Sequence, residues 1–314
     1  PNYAFLLDEW VDSLQTLPDA MQYAGFTVGE PQERIPWKQM RHHAPDVQWP
    51  PSGVALAMHY AMPETAPESL RQIKVTVHYE LYDGIPLLCK WLAVENAGST
   101  AVMLDSFTSE ILAAVEYSSD VEDREGAAQP PNLHVETDYA FLAMSAMNAG
   151  RHAIRWLPDP DYATQVNYEN RNPCLLEVGP DLGPAVSIAP GDTFTSFHTF
   201  VLSFDGYDRE RNGLAQRRMY RTIAPWATEN PLMMHVRYSD PKTVYKAIDQ
   251  CAEVGFEMVI LTFGSGFDIE NDKSRNLKRM SDYSKYAHKK DIEIGGYSLL
   301  ASRSIDKEND VVMP

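Results

Sequence analysis

The sequence is poor in most features that would assign a function directly. It has three cysteines in 314 residues, Cys89, Cys174 and Cys251, far apart and each in an apolar context. That excludes a disulfide framework and leads us to expect buried free thiols. Basic residues are in deficit, 27 against 44 acidic ones, for a net charge of −17. With no basic stripe to overcome that field, neither nucleic acid nor an anionic membrane surface is expected as a partner. No apolar run approaches the ~20 residues of a membrane span. The nine histidines include no His-x-x-x-His on a helical pattern and no His/Cys cluster. No metal site is therefore expected, the adjacent His42 and His43 included. There is no Gly-x-Ser-x-Gly elbow. Gly264-Ser265-Gly266 is shorter, and it lacks both the third glycine of a dinucleotide loop and the Lys-Ser/Thr of a phosphate loop. Neither a nucleophilic Ser265 nor a nucleotide cofactor follows from it. The chain opens on Pro1 without a signal-peptide pattern, so no compartment is assigned.

What the sequence does have is a regular alternation of strand and helix patterns from Pro231 to Arg303. LMMHV (232–236) is a short apolar run, in which His235 is expected to be a satisfied core group. Ser239, Asp240 and Pro241 follow as an N-cap, an acid in the first turn and a proline at the first helical position. Val244, Ala247, Ile248, Cys251 and Ala252 then mark one face of a helix, and Gly255 stands where a C-cap glycine belongs. MVILTF (258–263) is apolar without alternation, as in a strand covered on both faces. Leu277, Met280, Tyr283, Ser284 and Ala287 predict a second helix, and IEIGGYSLL (292–300) a third strand. Consecutive βα units build a parallel sheet, open or closed into a barrel. In both forms the ligand site lies beyond the carboxyl ends of the strands. Those ends are Arg237–Asp240, Gly264–Asp272 and Tyr297–Arg303.

The preceding two thirds read differently. Residues 1–70 hold turn residues and aromatics, with one strand at VALAMHYAMP (54–63) and a basic cluster around Trp37 whose indole is expected to be packed. Ile73 to Leu81 alternate, Asp83-Gly84 gives a hairpin signal, and PLLCKWLAVEN returns to the turn Asn96-Ala97-Gly98. Residues 102–117 form a strand pair or one long strand, and the acidic, proline-containing stretch 121–132 is a loop. Short strands with turns such as Ala189-Pro190-Gly191-Asp192 continue to about residue 204. The pattern is that of an antiparallel β-sandwich. Residues 207–224 form a charged amphipathic helix ended by Pro225-Trp226. The expected domains are a β-sandwich at 1–206, a linker helix region at 207–230, and an α/β part at 231–314.

This order of parts resembles the α-galactosidase and α-N-acetylgalactosaminidase group of retaining glycoside hydrolases, family 36 and its relatives. In that family a supersandwich domain precedes a (β/α)8 TIM barrel. The residues that carry the resemblance are YELYDGIPLLCKWLAVENAG (79–98), with Tyr79, Pro86, Trp91, Asn96 and Gly98 at the family's spacing, RRMYRTIAPWATENPL (217–232), and the run from ILTFGSGFD (260–268) to GGYSLLASR (295–303). The sequence also departs from the family. The Asp-Asp-Gly-Trp usual after the second barrel strand falls on Thr262, Phe263, Gly264 and Ser265, so both sugar-binding aspartates are missing. The usual stacking tryptophan falls near Arg237-Tyr238, and the usual Glu-Pro pair near Leu299–Ser302. The resemblance implies two catalytic aspartates on the fourth and sixth barrel strands. We therefore expect no catalytic residue in this chain, which reads as a section of a longer protein, inactive alone.

The expected substrate-binding residues are Asp268, Arg237, Tyr238, Gly264, Ser265, Gly266, Tyr297 and Arg303. Asp268 lies nearest its strand end, whereas Glu270 and Asp272 are expected to be solvated. Tyr238 and Tyr297 suit either stacking on a sugar or packing. Arg237 and Arg303 suit a hydroxyl, a carboxylate or a structural acid. The expected partner is a carbohydrate substrate, with a homo-oligomer an open option and no cofactor or metal. Two rivals stand beside the hydrolase reading: a carbohydrate-binding or scaffolding protein without catalysis, and an α/β enzyme of unrelated chemistry.

Overall fold

A computed structural model describes residues 20–37, 47–114, 130–139, 150, 152–159, 172–228, 231–262, 264–269 and 271–297. The chain divides into two units, one of Pro1–Glu33 with Pro50–Met219 and the other of Arg34–Trp49 with Tyr220–Pro314.

The first unit is mostly antiparallel β-sheet. Its strands are β1 (Gln22–Gly29), β2 (Gly53–Ala61), β3 (Ile73–Tyr82), β4 (Leu87–Asn96), β5 (Val102–Ser106), β6 (Glu110–Ala113), β7 (Leu133–Thr137), β8 (Ile154–Pro158), β9 (Pro173–Val178), β10 (Pro184–Ile188), β11 (Thr193–Thr195) and β12 (Thr199–Ser203). A seven-stranded sheet runs β1-β2-β3-β4-β12-β7, with β11 also on β4, and smaller sheets are β6-β9-β8 and β10-β5. Within the stretch 102–117, β5 and β6 belong to different sheets, and residues 115–117 lie outside the described residues. The hairpin at Asp83-Gly84 forms as its residues dictate, with Gly84 at φ 72° and β3 paired to β4 from Ile73–Asn96 to Leu81–Leu88.

Asn96 explains the turn that closes β4. Its side-chain amide donates to the carbonyls of Thr100 (2.8 Å) and Ile188 (2.9 Å), and its Oδ1 accepts from the Gly98 N–H (3.0 Å). A side chain at Gly98 would approach that Oδ1 to 3.1 Å. Buried and fully bonded, Asn96 sets the turn and ties it to β10.

One face of the large sheet carries a polar ladder. The His59 ring lies between the hydroxyls of Thr27 (3.4 Å) and Thr76 (3.3 Å). His78 stacks on Trp91 with centroids 4.6 Å apart and planes at 4°, and His198 meets the same indole at 4.8 Å. Asp138 holds His198 Nδ1 at 2.6 Å. Burial lowers the pKa of His78, with the charges of His59 and His198 acting in the same direction and Glu80 opposing them. The other face is apolar, with pairs such as Phe26–Met58, Val28–Leu56 and Val54–Leu81 in register. Towards β4 and β12 the sheet of β6, β9 and β8 meets this face. There the mostly buried Lys90 and Glu110 pair at 2.8 Å, and Ser109 bonds Thr199 at 3.2 Å. At the β1 end the face is open.

Strand β1 was not expected. It is an edge strand exposed along nearly its whole length, with a bulge between Tyr23 and Gly25. Such a strand has no alternation of burial to impose on its sequence.

Helix α1 (Arg209–Ile223) begins in the first unit and ends in the second; the short α2 (Pro225–Thr228) follows it. The second unit carries β13 (Met233–Val236), α3 (Pro241–Val254), β14 (Met258–Leu261), α4 (Ser274–His288) and β15 (Glu293–Gly296). The three strands are parallel in the order β13-β14-β15, in register from Met233–Met258–Glu293 onward. Val236, Val259, Leu261 and Ile292 point to one face and pack with Val244, Ile248, Cys251, Tyr283 and Ala287 of the two helices. Full burial of each such aliphatic side chain contributes about 1.5–3 kcal/mol.

Asp240, not Ser239, caps α3. Its carboxylate accepts from the Thr243 N–H (3.1 Å) and hydroxyl (2.6 Å), with Pro241 in the first turn and Gly255 left-handed at the C-cap. On α4 the inward face is Asn276, Met280, Tyr283 and Ala287, whereas Leu277 is 55% exposed. The three cysteines are all buried and free. Among the described residues no helix is long and apolar enough to cross a membrane.

Candidate functional site

The carboxyl ends of β13, β14 and β15 lie side by side, so the chain returns there after each strand. The loop after β14 turns on Gly264 (φ 73°) and Gly266 (φ 90°), conformations that favour glycine. Gly266 is required for a second reason, since a Cβ on it would lie 3.0 Å from the Ser239 hydroxyl.

Two hydrogen bonds tie this loop to the one after β13. Ser239, 1% exposed, donates both its N–H (2.9 Å) and its hydroxyl (3.1 Å) to the Ser265 carbonyl. Beneath it the Tyr283 hydroxyl donates to the Ser239 carbonyl at 2.8 Å, and burial raises the pKa of that phenol. Arg279 donates to Asn276 Oδ1 (2.8 Å) and to the Gly266 carbonyl (3.4 Å). Asn276 in turn donates to the Asn271 carbonyl at 2.8 Å. Ser239, Asn276, Arg279 and Tyr283 therefore hold the rim in shape. The sequence marked Ser239 only as a cap and Tyr283 only as core. The signal for their further roles was a polar residue at the inward helical position 276 and a Gly-x-Gly facing a serine.

The predicted residues fall into three groups. Gly264, Ser265 and Gly266 are together in this loop. The Ser265 hydroxyl donates to the Thr262 carbonyl (2.5 Å) and accepts from the Phe267 N–H (3.2 Å), so it serves the loop itself. Arg237, Tyr238, Asp268 and Tyr297 are exposed at the strand ends. The Arg237 guanidinium lies 5.8 Å from the Tyr238 ring centroid. Arg303 lies outside the described residues, as do Phe263 and Glu270.

His235 differs from expectation. It was read as a core group within the first strand, but it is exposed on the face opposite the helices. Its Nε2 is 3.3 Å from the Tyr297 hydroxyl, and the two rings stack at 5.8 Å and 18°. Alternation along the strand explains this. Met234 and Val236 take the helix side, which leaves Met233 and His235 on the other. A cavity of about 500 Å³ beside β13 and α3 is lined by His235, Arg237, Lys242, Lys246 and Gln250 among others, within the size range of small-ligand sites.

Trp37 is packed as expected. It meets Trp49 and Trp226 at 6.4 Å each, and those two meet edge-on at 5.1 Å. Among the described residues no cluster of three or more His, Cys, Asp or Glu side chains could hold a metal ion. The arrangement offers aromatic faces, an imidazole–phenol pair, a cation and glycine backbone, which suits hydrogen bonding and stacking to a polyhydroxylated ligand.

No protein-family profile matches the chain, and no curated protein matches it by sequence. Solved structures do. The chain is similar to the α-galactosidase of Lactobacillus brevis, with 11% identity, a TM-score of 0.44, and coverage of 90% of this chain and 42% of that one. It is similar to a GH36 α-galactosidase of Geobacillus stearothermophilus, with 12% identity, a TM-score of 0.43, and coverage of 91% and 44%. A variant of that enzyme in complex with stachyose matches with 13% identity, a TM-score of 0.41, and coverage of 91% and 44%. The chain thus spans less than half the length of each.

Proposed function

We propose that the chain belongs to a retaining glycoside hydrolase of the α-galactosidase-like type, in which its role is to bind and position the sugar. In this reading residues 1–206 are the β-sandwich, 207–230 the linker, and 231–314 the opening βα units of a (β/α)8 barrel. The observation that carries the reading is the His235–Tyr297 pair, at the carboxyl end of a parallel sheet and on the face its helices leave open. That face would line a barrel, and the strand ends are where barrel enzymes hold their ligands. The stretches 79–98, 217–232 and 260–303, in the same order as in the family, support it. Retention needs two carboxyl groups about 5–5.5 Å apart. The family's two stand on later strands than the three described here. Substrate contacts are assigned to Arg237, Tyr238, Asp268, Tyr297 and Arg303, with Gly264 and Gly266 giving close backbone approach.

The test is hydrolysis of a broad panel of aryl α-glycosides by the protein as its gene encodes it. Turnover with retained configuration is expected, and no turnover of any member would refute the enzymatic reading.

A second reading, a carbohydrate-binding protein without catalysis, is favoured by one observation. Thr262 and Phe263 stand where the family has its sugar-binding aspartates. Calorimetry beside the activity assay separates the two, since binding of a sugar with no turnover by the complete protein selects the second.

A further inference from the structure

The cavity of about 500 Å³ beside β13 and α3 has a lining at odds with the charge of the chain. The whole chain carries −17, yet this lining holds Arg237, Lys242 and Lys246 and no carboxylate. Lys242, Lys246 and Gln250 follow one another at i, i+4 and i+8, so they form one row along α3. Among the described residues none of the three cations has an ion pair or a side-chain hydrogen bond. The guanidinium of Arg237 has only the Tyr238 ring near it, 5.8 Å away.

The carboxylates of this helix are committed elsewhere or lie outside the lining. Asp240 caps α3 and accepts from the Thr243 N–H and hydroxyl. Asp249 accepts from the Tyr286 hydroxyl at 2.8 Å and pairs with Lys290 at 3.0 Å. Left to itself the cationic row costs stability. Lys242 lies in the first turn, at the positive end of the helix dipole, and Lys246 adds a like charge one turn further on. An anion held between them removes both costs.

We propose that this cavity binds the anionic group, a phosphate or a carboxylate, of a small molecule. Arg237, Lys242 and Lys246 are its counter-ions, and the Gln250 amide is a neutral donor beside them. The volume is that of a small-ligand site rather than of a bare ion. His235 belongs both to the lining and to the pair with Tyr297, so the cavity adjoins the open face of the parallel sheet. A sugar that carries the anion is the ligand that uses both. The anion site itself stands without the sugar reading, because inorganic phosphate alone can report it.

Calorimetry on the 314-residue chain at low ionic strength, with inorganic phosphate, galactose 6-phosphate, galacturonate and galactose, tests this. One of the two charged sugars is expected to bind at least about tenfold more tightly than galactose. Phosphate should displace it, added salt should weaken it, and the tighter of the two identifies the anion. Lys242→Gln/Lys246→Gln, at two exposed positions, should abolish that preference. Lys285→Gln/Lys289→Gln, which changes the net charge equally on exposed positions of the other helix end, should keep it. Phosphate binding without binding of any sugar supports the site and counts against the sugar reading. Equal binding of galactose and its charged derivatives overturns the proposal and leaves the sugar reading standing. No binding of any of the three anions overturns it, and so does an equal loss in both double variants.

Discussion

The two units treat the two faces of a sheet in opposite ways. In the first, the large antiparallel sheet carries a polar face, the ladder from Thr27 to Asp138, and an apolar face that a second sheet covers in part. In the second, the short parallel sheet has a helix-covered face that is wholly apolar and an opposite face carrying Met233, His235 and Tyr297. Parallel sheets are ordinarily covered on both faces, whereas an antiparallel one tolerates water on one side. The open face of the second unit is thus the unusual one, and the His235–Tyr297 pair lies on it. The polar face of the first unit is satisfied by its own contacts and needs no ligand to explain it.

Substitutions in the two cores give the strongest test of this contrast. Ile248→Ala, at a fully buried position of the helix-covered face, should cost about 2–5 kcal/mol. By calorimetry it should lower only the transition of the second unit. Asn96→Ala removes three hydrogen bonds and leaves the Ile188 and Thr100 carbonyls unpaired. It should cost about 2–3 kcal/mol, in the transition of the first unit alone. A single cooperative transition shifted by both variants would break the comparison. Asp240→Ala, which deletes the cap of α3, should lower the transition of the second unit by less than either core change.

The smallest effect is a difference in acid sensitivity. The folded pKa of His78 is depressed below the ordinary 6.5, so the folded state disfavours its proton. Its stabilising contribution is complete above that value and is lost as the pH falls through the depressed one. Asp240 is lowered by its bonds to Thr243 from an ordinary 3.8, so its contribution is lost only in more acid solution. Melting followed from pH 7 to pH 4 should therefore weaken the first unit before the second, and His78→Gln should flatten that early loss. An unchanged profile in His78→Gln would remove the ladder from the account.

Much of this was legible in the sequence. Asp83-Gly84, Gly255 and the helical stripe from Val244 to Cys251 are local signals, and each appears where it was read. The candidate loop was legible from Gly264 and Gly266 for the same reason, since positive φ is a local demand. What was not legible depends on partners distant in the chain. His235 looked like a core residue because a strand of four gives no hint which face a second layer covers. The double bond from Ser239 to the Ser265 carbonyl joins residues 26 apart, and nothing in either residue's neighbours announces it. Leu277 helped to predict the helix by its apolarity, but the inward position beside it is taken by Asn276, whose amide reaches the Asn271 carbonyl.

The stacked rings of the polar ladder give the first unit an optical indicator of its own. Trp91 is one of six tryptophans, and it has an imidazole at 4.6 Å on one side and another at 4.8 Å on the other. A protonated imidazole in contact with an indole quenches its emission, and a neutral one does so far less. The fluorescence of this single tryptophan should therefore dim as His78 takes up its proton and recover when it loses it. Five Trp→Phe substitutions elsewhere would turn the β unit into a self-reporting titration, in which the charge state of one sheet face is read as light.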